Sequence, residues 1–213
     1  MSGGPRPAAL VLAKAPVAGR VKTRLCPPLS PAEAAAVAEA ALADTLDAVS
    51  RCGADRLVIA LDGEPGPWLP PGFEVVAQRD GGLDERLAAA WADVGGAGVL
   101  VGMDTPQVLP GHLDTALASL DDHDAALGLA LDGGWWAIAL RRPDPACFLG
   151  VPMSTGHTGW AQRRRLDALG LTVAALPALL DVDTAEDLAA VATAFPSLRT
   201  SSVAARHLVG RGA

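Results

Sequence analysis

The sequence predicts an α/β fold: one three-layer α/β/α domain with a mostly parallel sheet covered by helices on both faces. Three observations predict it. Apolar segments of strand length alternate with longer amphipathic segments along almost the whole chain. Half of the 213 residues are apolar, which is enough for a large buried core. No internal repeat or long linker interrupts the alternation, so a single domain is expected.

The short apolar runs predict seven strands, at residues 8–13, 56–61, 73–77, 98–101, 125–129, 135–140 and 172–176. The amphipathic stretches predict helices at residues 31–50, 83–94, 110–120, 158–169 and 184–194. Ser30, Pro31 and Glu33 have the spacing of a capping box with proline in the first turn. Thr184 and Asp187 have the same spacing at the last of these helices. We therefore expect a domain over residues 8–195, a disordered segment over 1–7 and a weakly patterned tail over 196–213.

The composition excludes several classes of function. A formal net charge of −7 argues against nucleic-acid binding, which needs a basic field. The longest apolar runs are too short to span a bilayer, and the first residues lack a signal-peptide pattern. The three cysteines are odd in number and widely spaced, as expected for reduced thiols. We therefore expect a cytoplasmic protein whose local cation clusters bind small anionic ligands.

The loop after the first strand carries an unusual concentration of cations: Lys14, Arg20, Lys22 and Arg24, with Gly19 among them. The chain has only two lysines, and both are in this loop. Lysine is a compact point charge that suits a phosphate, whereas arginine is a planar fork. Ligands of open α/β sheets bind at the carboxyl ends of strands, so a phosphate-binding loop is predicted. The alternative is a solvated basic loop, because the spacings of the P-loop and the dinucleotide fingerprint are absent.

Carboxylates follow two other predicted elements. Asp104 comes directly after the buried strand 98–101, where it can hold a Mg²⁺ or Mn²⁺ ion that bridges phosphate oxygens. The alternative role for Asp104 is a turn or helix cap. Asp181 and Asp183 precede the last predicted helix, and either can supply a second carboxylate to the metal.

The segment from Asp132 to Trp136 combines a turn with two tryptophans. Asp-Gly-Gly is a common hairpin turn. Adjacent residues of a strand face opposite sides, so one tryptophan is expected in the core and the other can stack on a sugar or base. Asp132 is then a candidate general base.

Taken together, these segments resemble a bacterial family of glycosyltransferase-A-fold proteins, long catalogued as a domain of unknown function and labelled glycosyltransferases. The sequence is also similar to 2-phospholactate guanylyltransferases and, more distantly, to molybdenum-cofactor guanylyltransferases. The pieces that carry the resemblance span nearly the whole chain: Lys14-Ala15-Pro16, Gly19, Val21-Lys22-Thr23-Arg24-Leu25, Gln78, Gly82-Leu83, Glu85-Arg86, Gly102, Asp104-Thr105-Pro106, Asp132-Gly133-Gly134 and the segment from Asp181 to Leu188.

The resemblance implies a nucleotide-diphospho-sugar transferase (Rossmann-like) fold and assigns roles to residues. It implies that Asp104 and Asp183 bind the Mg²⁺ or Mn²⁺ ion, and that Gln78, Gly81 and Gly82 lie near the base or ribose. The first loop would grip the nucleotide phosphates through Lys14, Gly19, Arg20, Lys22, Thr23 and Arg24.

The predicted activity is transfer from a nucleotide-activated donor to a small-molecule acceptor. The leaving phosphate charge would be neutralised by the metal, Lys22 and Arg24, with Asp132 as a base. Transfer of a sugar from an NDP-sugar is placed narrowly first. Transfer of a nucleotidyl group from an NTP to a phosphorylated small molecule is the alternative, and a non-catalytic nucleotide-binding module is a third.

Overall fold

The computed structural model describes residues 7–208, which form seven strands and six helices. The strands are β1 (Ala8–Lys14), β2 (Arg56–Asp62), β3 (Glu74–Ala77), β4 (Gly98–Gly102), β5 (Ala125–Ala130), β6 (Trp135–Leu140) and β7 (Val173–Leu179). The helices are α1 (Pro31–Ser50), α2 (Leu83–Val94), α3 (Pro110–Ala118), α4 (Thr158–Ala168), α5 (Ala185–Ala194) and α6 (Arg199–Leu208).

The strands form one sheet in the order β3-β2-β1-β4-β6-β5-β7. β1 pairs in parallel with β2 and β4, β2 with β3, and β5 with β7. β6 is antiparallel to both of its neighbours, β4 and β5. The predicted fold class, a mostly parallel sheet between helices, is therefore confirmed.

Alternating residues of the central strands supply two core layers on opposite faces of the sheet. Val11 and its neighbours two residues away on β1 pack with residues of α1 and α3 on one face. Leu10 of the same strand packs with α2 and α4 residues, including Trp91 and Leu166, on the other. Both faces of β1 are buried, which explains its uninterrupted apolar sequence.

The local signals at the helix ends are confirmed. The Ser30 hydroxyl accepts from the Glu33 amide at 3.3 Å, and the Glu33 carboxylate accepts from the Ser30 amide at 2.7 Å. Thr184 and Asp187 form the same reciprocal pair at the start of α5. Each pair satisfies N–H groups that the first helical turn leaves without partners.

The segment after residue 195, expected to be a weakly patterned tail, contains the helix α6 at residues 199–208. Ala204 of α6 is buried in a third apolar cluster with residues of α1 and α5. The start of α6 is held by Asp44 of α1, whose carboxylate accepts from the amides of Arg199 and Thr200 at 3.1 and 2.9 Å. The Thr200 hydroxyl donates to the same carboxylate at 2.8 Å. The disorder expected for the N-terminal segment concerns residues 1–6, which lie outside the described residues.

The topology brings several loops to one edge of the sheet. The parallel strands β1 and β4 end there, at Lys14 and Gly102. Because β6 runs antiparallel, its first residue, Trp135, lies at the same edge. The predicted functional segments after β1, after β4, between β5 and β6, and after β7 are thereby neighbours.

The carboxylate of Asp44, with its side chain only 4% exposed, predicts a strong dependence of stability on this one residue. We expect Asp44→Ala to lower the free energy of unfolding by about 2 kcal/mol, because it leaves α6 amides buried without a partner. Urea denaturation measures this change. Asp47→Ala on the same helix is the control, since the Asp47 side chain is 41% exposed and pairs with Arg51, and it is expected to cost less than about 1 kcal/mol. Equal losses for the two variants would contradict the capping role.

Candidate active site

A cavity of about 860 Å³ opens at the carboxyl edge of the sheet. Its lining contains the cations of the first loop and carboxylates of three other loops. The residues predicted from the sequence that line it include Lys14, Arg20, Lys22, Thr23, Arg24, Gln78, Asp104, Asp132, Asp181 and Asp183. A volume of this size suits a nucleotide or another small-molecule ligand.

Lys22 lies at the centre of this arrangement. Its ammonium is 2.5 Å from Asp104 Oδ1 and 3.3 Å from Asp183 Oδ1, and it also donates to the carbonyl of Val182. The side chain is only 5% exposed. Burial alone would lower the pKa of Lys22, but the two carboxylates outweigh burial and raise the pKa above its ordinary value. Lys22 is therefore a buried, charged group between the two carboxylates predicted to bind a metal.

Asp183 is surrounded by cations on both of its oxygens. Lys22 contacts Oδ1, and Arg24 donates to Oδ2 at 3.1 Å. The two positions predicted as metal ligands are thus brought together, but a lysine ammonium stands between them. Sequence reasoning missed this contact because it joins residues 161 positions apart.

Hydrogen bonds hold the two carboxylate-bearing loops against each other. The Val182 amide donates to the carbonyl of Asp104 at 2.8 Å. The Thr105 hydroxyl donates to Asp181 Oδ1 at 2.7 Å, and the Gln107 amide nitrogen donates to the Leu180 carbonyl at 2.6 Å. Thr105 and Gln107, which the sequence did not single out for this role, are both buried. The clamp fixes the separation of Asp104 and Asp183.

Asp181 is the most perturbed carboxyl group of the site. Its pKa is raised to about 7, chiefly by burial and also by the nearby charges of Asp104 and Asp132, whereas the Thr105 hydrogen bond and Lys22 oppose the shift. Asp181 lines the same cavity. Asp104 and Asp132 are thus both within electrostatic reach of Asp181.

Gln78, predicted to lie near the base or ribose, lines the cavity, and its side chain is hydrogen-bonded within the protein. Its amide nitrogen donates to the carbonyls of Ala13 and Ala60 at 2.7 and 2.8 Å, and its oxygen accepts from Arg86. Both ends of the Gln78 amide are therefore hydrogen-bonded. The side chain links the adjacent strands β1 and β2 and orients Arg86. Arg86 also donates to Asp62 at 3.1 Å and lines the cavity. The feature of the sequence that could have identified Arg86 is its position as a charged residue between the apolar positions of α2.

The three glycines predicted near the nucleotide do not line the cavity. Gly82 is the N-cap of α2, and its amide donates to the Glu85 carboxylate at 2.8 Å. Gly81 precedes it with a φ of +121°, which a side chain would strain. Gly19, at φ +77°, forms the exposed turn that leads the first loop towards Lys22. Their observed contributions are to the backbone.

The two tryptophans divide as predicted. Trp136 is buried in the core, and its indole nitrogen donates to the Pro177 carbonyl at 2.9 Å. Trp135 is half-buried and lines the cavity. Asp132, in front of them, is exposed and accepts from the Gly134 amide at 2.8 Å, as a turn aspartate does.

The loop before α4 covers this hairpin. The Gly159 amide donates to the Gly133 carbonyl at 2.8 Å. A Cβ atom on Gly133 would lie 2.0 Å from the Gly156 carbonyl oxygen, so only glycine fits there. Ser154 and Thr155 of the same loop line the cavity, as does Asp132.

Residues 7–208 contain no cluster of three or more His, Cys, Asp or Glu side chains arranged to hold a metal ion. Over the same residues, no helix is both long and apolar enough to cross a membrane. A metal at Asp104 and Asp183 would therefore take its other ligands from the substrate and from water, as Mg²⁺ usually does.

The fold, and a cavity of cations and carboxylates at the carboxyl edge of the sheet, indicate a transferase of the nucleotide-diphospho-sugar transferase type. Comparison with proteins of known sequence and structure gives the same class. The chain belongs to the bacterial family described as "uncharacterized protein conserved in bacteria (DUF2064)", whose sequence profile matches residues 33–155. The resemblance stated from the sequence is thereby confirmed.

Two relatives of known activity are guanylyltransferases. The 3-phospho-D-glycerate guanylyltransferase of Phenylobacterium zucineum (strain HLK1) is 34% identical over 201 residues, covering 85% of this chain and 88% of the relative. The 2-phospho-L-lactate guanylyltransferase of Haloarcula marismortui is 36% identical over 134 residues, or 61% of each chain.

Solved structures agree on the fold. A crystal structure classed as a nucleotide-diphospho-sugar transferase, from Desulfovibrio desulfuricans G20, has a TM-score of 0.83 and 28% identity, covering 92% of this chain and 93% of that one. The manganese complex of Rv0371C from Mycobacterium tuberculosis H37Rv has a TM-score of 0.58 and 22% identity, covering 89% of this chain and 98% of that one.

These comparisons bear on the predicted activity. A transferase that uses a nucleotide-activated donor is confirmed. Sugar transfer was placed first from the sequence, but the activities of the two relatives favour the alternative, nucleotidyl transfer.

The raised pKa of Asp181 predicts a pH-dependent contribution to stability. The folded protein holds this proton more tightly than the unfolded chain, whose reference value is 3.8. The resulting stabilisation is fully present below pH 3.8 and is lost as the pH rises through about 7. Asp181→Asn, which keeps an acceptor for Thr105, does not titrate. We therefore expect the melting temperature of the variant, relative to the parent protein, to rise between pH 4 and pH 7.

Thermal melts at several pH values measure this difference. Asp122→Asn serves as the control, since Asp122 is exposed and does not line the cavity. A difference between Asp181→Asn and the parent that stays constant from pH 4 to pH 8 would show that Asp181 titrates normally.

Proposed function

We propose that the protein is a metal-dependent nucleotidyltransferase that moves a guanylyl group from GTP to a phosphorylated small hydroxy acid. The observation that carries the proposal is the convergence of Lys14, Arg20, Lys22 and Arg24 on one cavity that Asp104 also lines. Phosphate-to-phosphate transfer brings two anionic reactants together and needs cations to do so. The guanylyltransferase from Phenylobacterium zucineum, which matches most of the chain, supports the choice of donor and acceptor class.

In the proposed reaction, a phosphate oxygen of the acceptor attacks the α-phosphorus of GTP. A new phosphorus–oxygen bond forms, and the bond to the β-phosphate breaks with its electron pair leaving on pyrophosphate. Lys22 and Arg24 stabilise the charge that develops on the phosphoryl oxygens, and Lys14 and Arg20 bind the remaining phosphates. Holding the two substrates in one cavity supplies much of the remaining rate enhancement.

The metal assigned to this site is Mg²⁺ or Mn²⁺, held by Asp104 and Asp183. The donor set fits such an ion, because all of the nearby candidate ligands are oxygens. Asp104 is 44% exposed and faces the cavity, so a substrate-bound ion can reach it. When bound, the ion neutralises phosphate charge and polarises the phosphoryl group. Asp132 lies on the acceptor side, where it would orient the acceptor or take up a proton.

The reaction is assigned to the cytoplasm. The protein's three cysteines, Cys26, Cys52 and Cys147, are all free thiols, as is usual in a reducing compartment. The partners in this proposal are small molecules alone.

Sugar transfer is the second candidate, favoured by the structural likeness to the Desulfovibrio desulfuricans protein. The two reactions release different products. Nucleotidyl transfer releases pyrophosphate from an NTP, whereas sugar transfer releases a nucleoside diphosphate from an NDP-sugar.

We expect pyrophosphate release when the protein is incubated with GTP, Mg²⁺ and 3-phosphoglycerate, and at least about tenfold less with ATP in place of GTP. Enzyme-coupled detection of pyrophosphate measures it, with 2-phospholactate and simple sugar phosphates as further acceptors. Parallel reactions contain GDP- and UDP-sugars with detection of the released diphosphate. Diphosphate release from an NDP-sugar, without pyrophosphate release from any NTP, would refute the proposal in favour of sugar transfer.

Asp104→Asn should reduce turnover on the order of 100-fold or more, because the variant keeps the size of the side chain but loses its negative charge. It should also lose the Mg²⁺-dependent part of the thermal stabilisation by GTP, which reports binding to the native state. Asp122→Asn is the matched control and should behave as the parent protein. Full retention of metal-dependent turnover in Asp104→Asn would remove Asp104 from the metal site.

A further inference from the structure

We propose that Lys22 occupies the divalent-cation position of the nucleotide-free protein, so that the metal binds only together with a nucleotide that draws Lys22 away. This inference rests on the metal use assigned to Asp104 and Asp183 in the proposed function. It adds an order of binding and a second role for Lys22: a resident cation before substrate arrives and a phosphate-binding group afterwards.

The surroundings of the Lys22 ammonium are those of a cation site. Three oxygens face it, one each from Asp104, Asp183 and the carbonyl of Val182. Carboxylate and backbone carbonyl oxygens are also the ligands that hard divalent ions take in proteins. The Val182 carbonyl is fixed in place by the neighbouring amide, which donates to Asp104 O at 2.8 Å. The three oxygens around the Lys22 ammonium are therefore also held by a backbone hydrogen bond and do not depend on Lys22 alone.

Charge explains why the two cations exclude each other. A divalent ion that enters between Asp104 and Asp183 while Lys22 remains would meet a buried like charge within contact distance. Lys22 is tethered to the loop, so its effective concentration at the site is high without any binding from solution. Displacing it without another partner would leave a buried ammonium uncompensated, which is strongly unfavourable.

A nucleotide supplies that other partner. Lys22 lines the cavity and lies in the same loop as Arg20 and Arg24, which are exposed and face the space assigned to the phosphates. Lysine carries its charge on a flexible stem, so the ammonium can turn from the carboxylates towards a phosphate without moving the backbone far. Exchange of Lys22 for a phosphate-bound metal would then keep every charge of the site paired.

The first test measures Mn²⁺ binding by electron paramagnetic resonance, without nucleotide. We expect Lys22→Met to bind Mn²⁺ at least about tenfold more tightly than the parent protein, because the competing cation is gone. Arg24→Met is the matched control. This variant also removes one positive charge from the loop. Arg24 contacts Asp183 at Oδ2 and its side chain is 71% exposed, so a change in Mn²⁺ affinity of less than about threefold is expected.

Two results of this titration would overturn the proposal. One is a Lys22→Met affinity for Mn²⁺ equal to that of the parent protein. The other is an equal gain in both variants, which would show a general charge effect. Lys22→Met combined with Asp104→Asn should lose the gained affinity, since the ion binds at Asp104.

The second test uses the parent protein, so it does not depend on whether Lys22→Met folds. The chain has only two lysines, so ¹⁵N-lysine labelling gives two side-chain NMR signals, and Lys14→Arg assigns them. We expect Mg²⁺ alone to leave the Lys22 signal unchanged. Mg²⁺ with a GTP analogue whose α,β-bridging oxygen is a methylene should shift it. A shift with Mg²⁺ alone at the same concentration would contradict the proposed order.

Neither measurement needs an acceptor or turnover. The proposed guanylyl transfer can therefore fail its pyrophosphate assay while the Mn²⁺ and NMR results support the exchange at Lys22. Equally, pyrophosphate can be released by a protein in which Mn²⁺ binds freely beside Lys22, and only the exchange at Lys22 would then be refuted.

Discussion

The ion-pair cluster of Lys22 with Asp104 and Asp183 is the constraint on which the site depends. It joins the loop after β1 to the loop after β4 and to the segment before α5, all at one edge of the sheet. Because the Lys22 side chain is buried, removing its carboxylate partners would leave its charge uncompensated, so the three groups act as a unit. The clamp of Thr105 and Asp181 beside it holds the two acidic loops at a fixed separation.

The sheet topology makes the cluster possible. β1 and β4 are adjacent and parallel, so the residues that follow them emerge side by side. Because β6 runs antiparallel to β4, Asp132 and Trp135 lie at the same edge. In an all-parallel sheet these two residues would not lie at this edge. The cavity is therefore lined by the cations of the first loop, by the carboxylates that pair with two of them, and by the hairpin residues Asp132 and Trp135. In the proposed function, the first loop would bind the nucleotide phosphates and the hairpin would face the acceptor.

The sequence predicted those features that depend on neighbours along the chain. The alternation of strands and helices, the caps at Ser30 and Thr184, and the burial of one of two adjacent tryptophans are all local, and all are confirmed. The features it missed join distant residues. α6 has few large apolar side chains and is anchored by Asp44, 156 positions away. The feature of the sequence that could have indicated this anchor is Asp44 itself, a carboxylate in the mostly apolar helix α1. Gln78 was placed near the base, yet its partners are strand carbonyls that no local pattern identifies.

The distribution of charge also bears on the choice between the two reactions of this fold. A sugar acceptor attacks with a neutral hydroxyl, so cations are needed only at the leaving diphosphate. A phosphorylated acceptor brings its own negative charge to a donor that is already anionic, and the repulsion must be offset before the two can meet. Four cations of the first loop line the cavity together with Arg86. This number favours the proposed reaction between two anionic substrates. The carboxylates that pair with Lys22 and Arg24 would repel an anionic acceptor unless a divalent ion lay between them. In the proposed nucleotidyl transfer, the metal and the cationic loop would therefore be interdependent parts of one site.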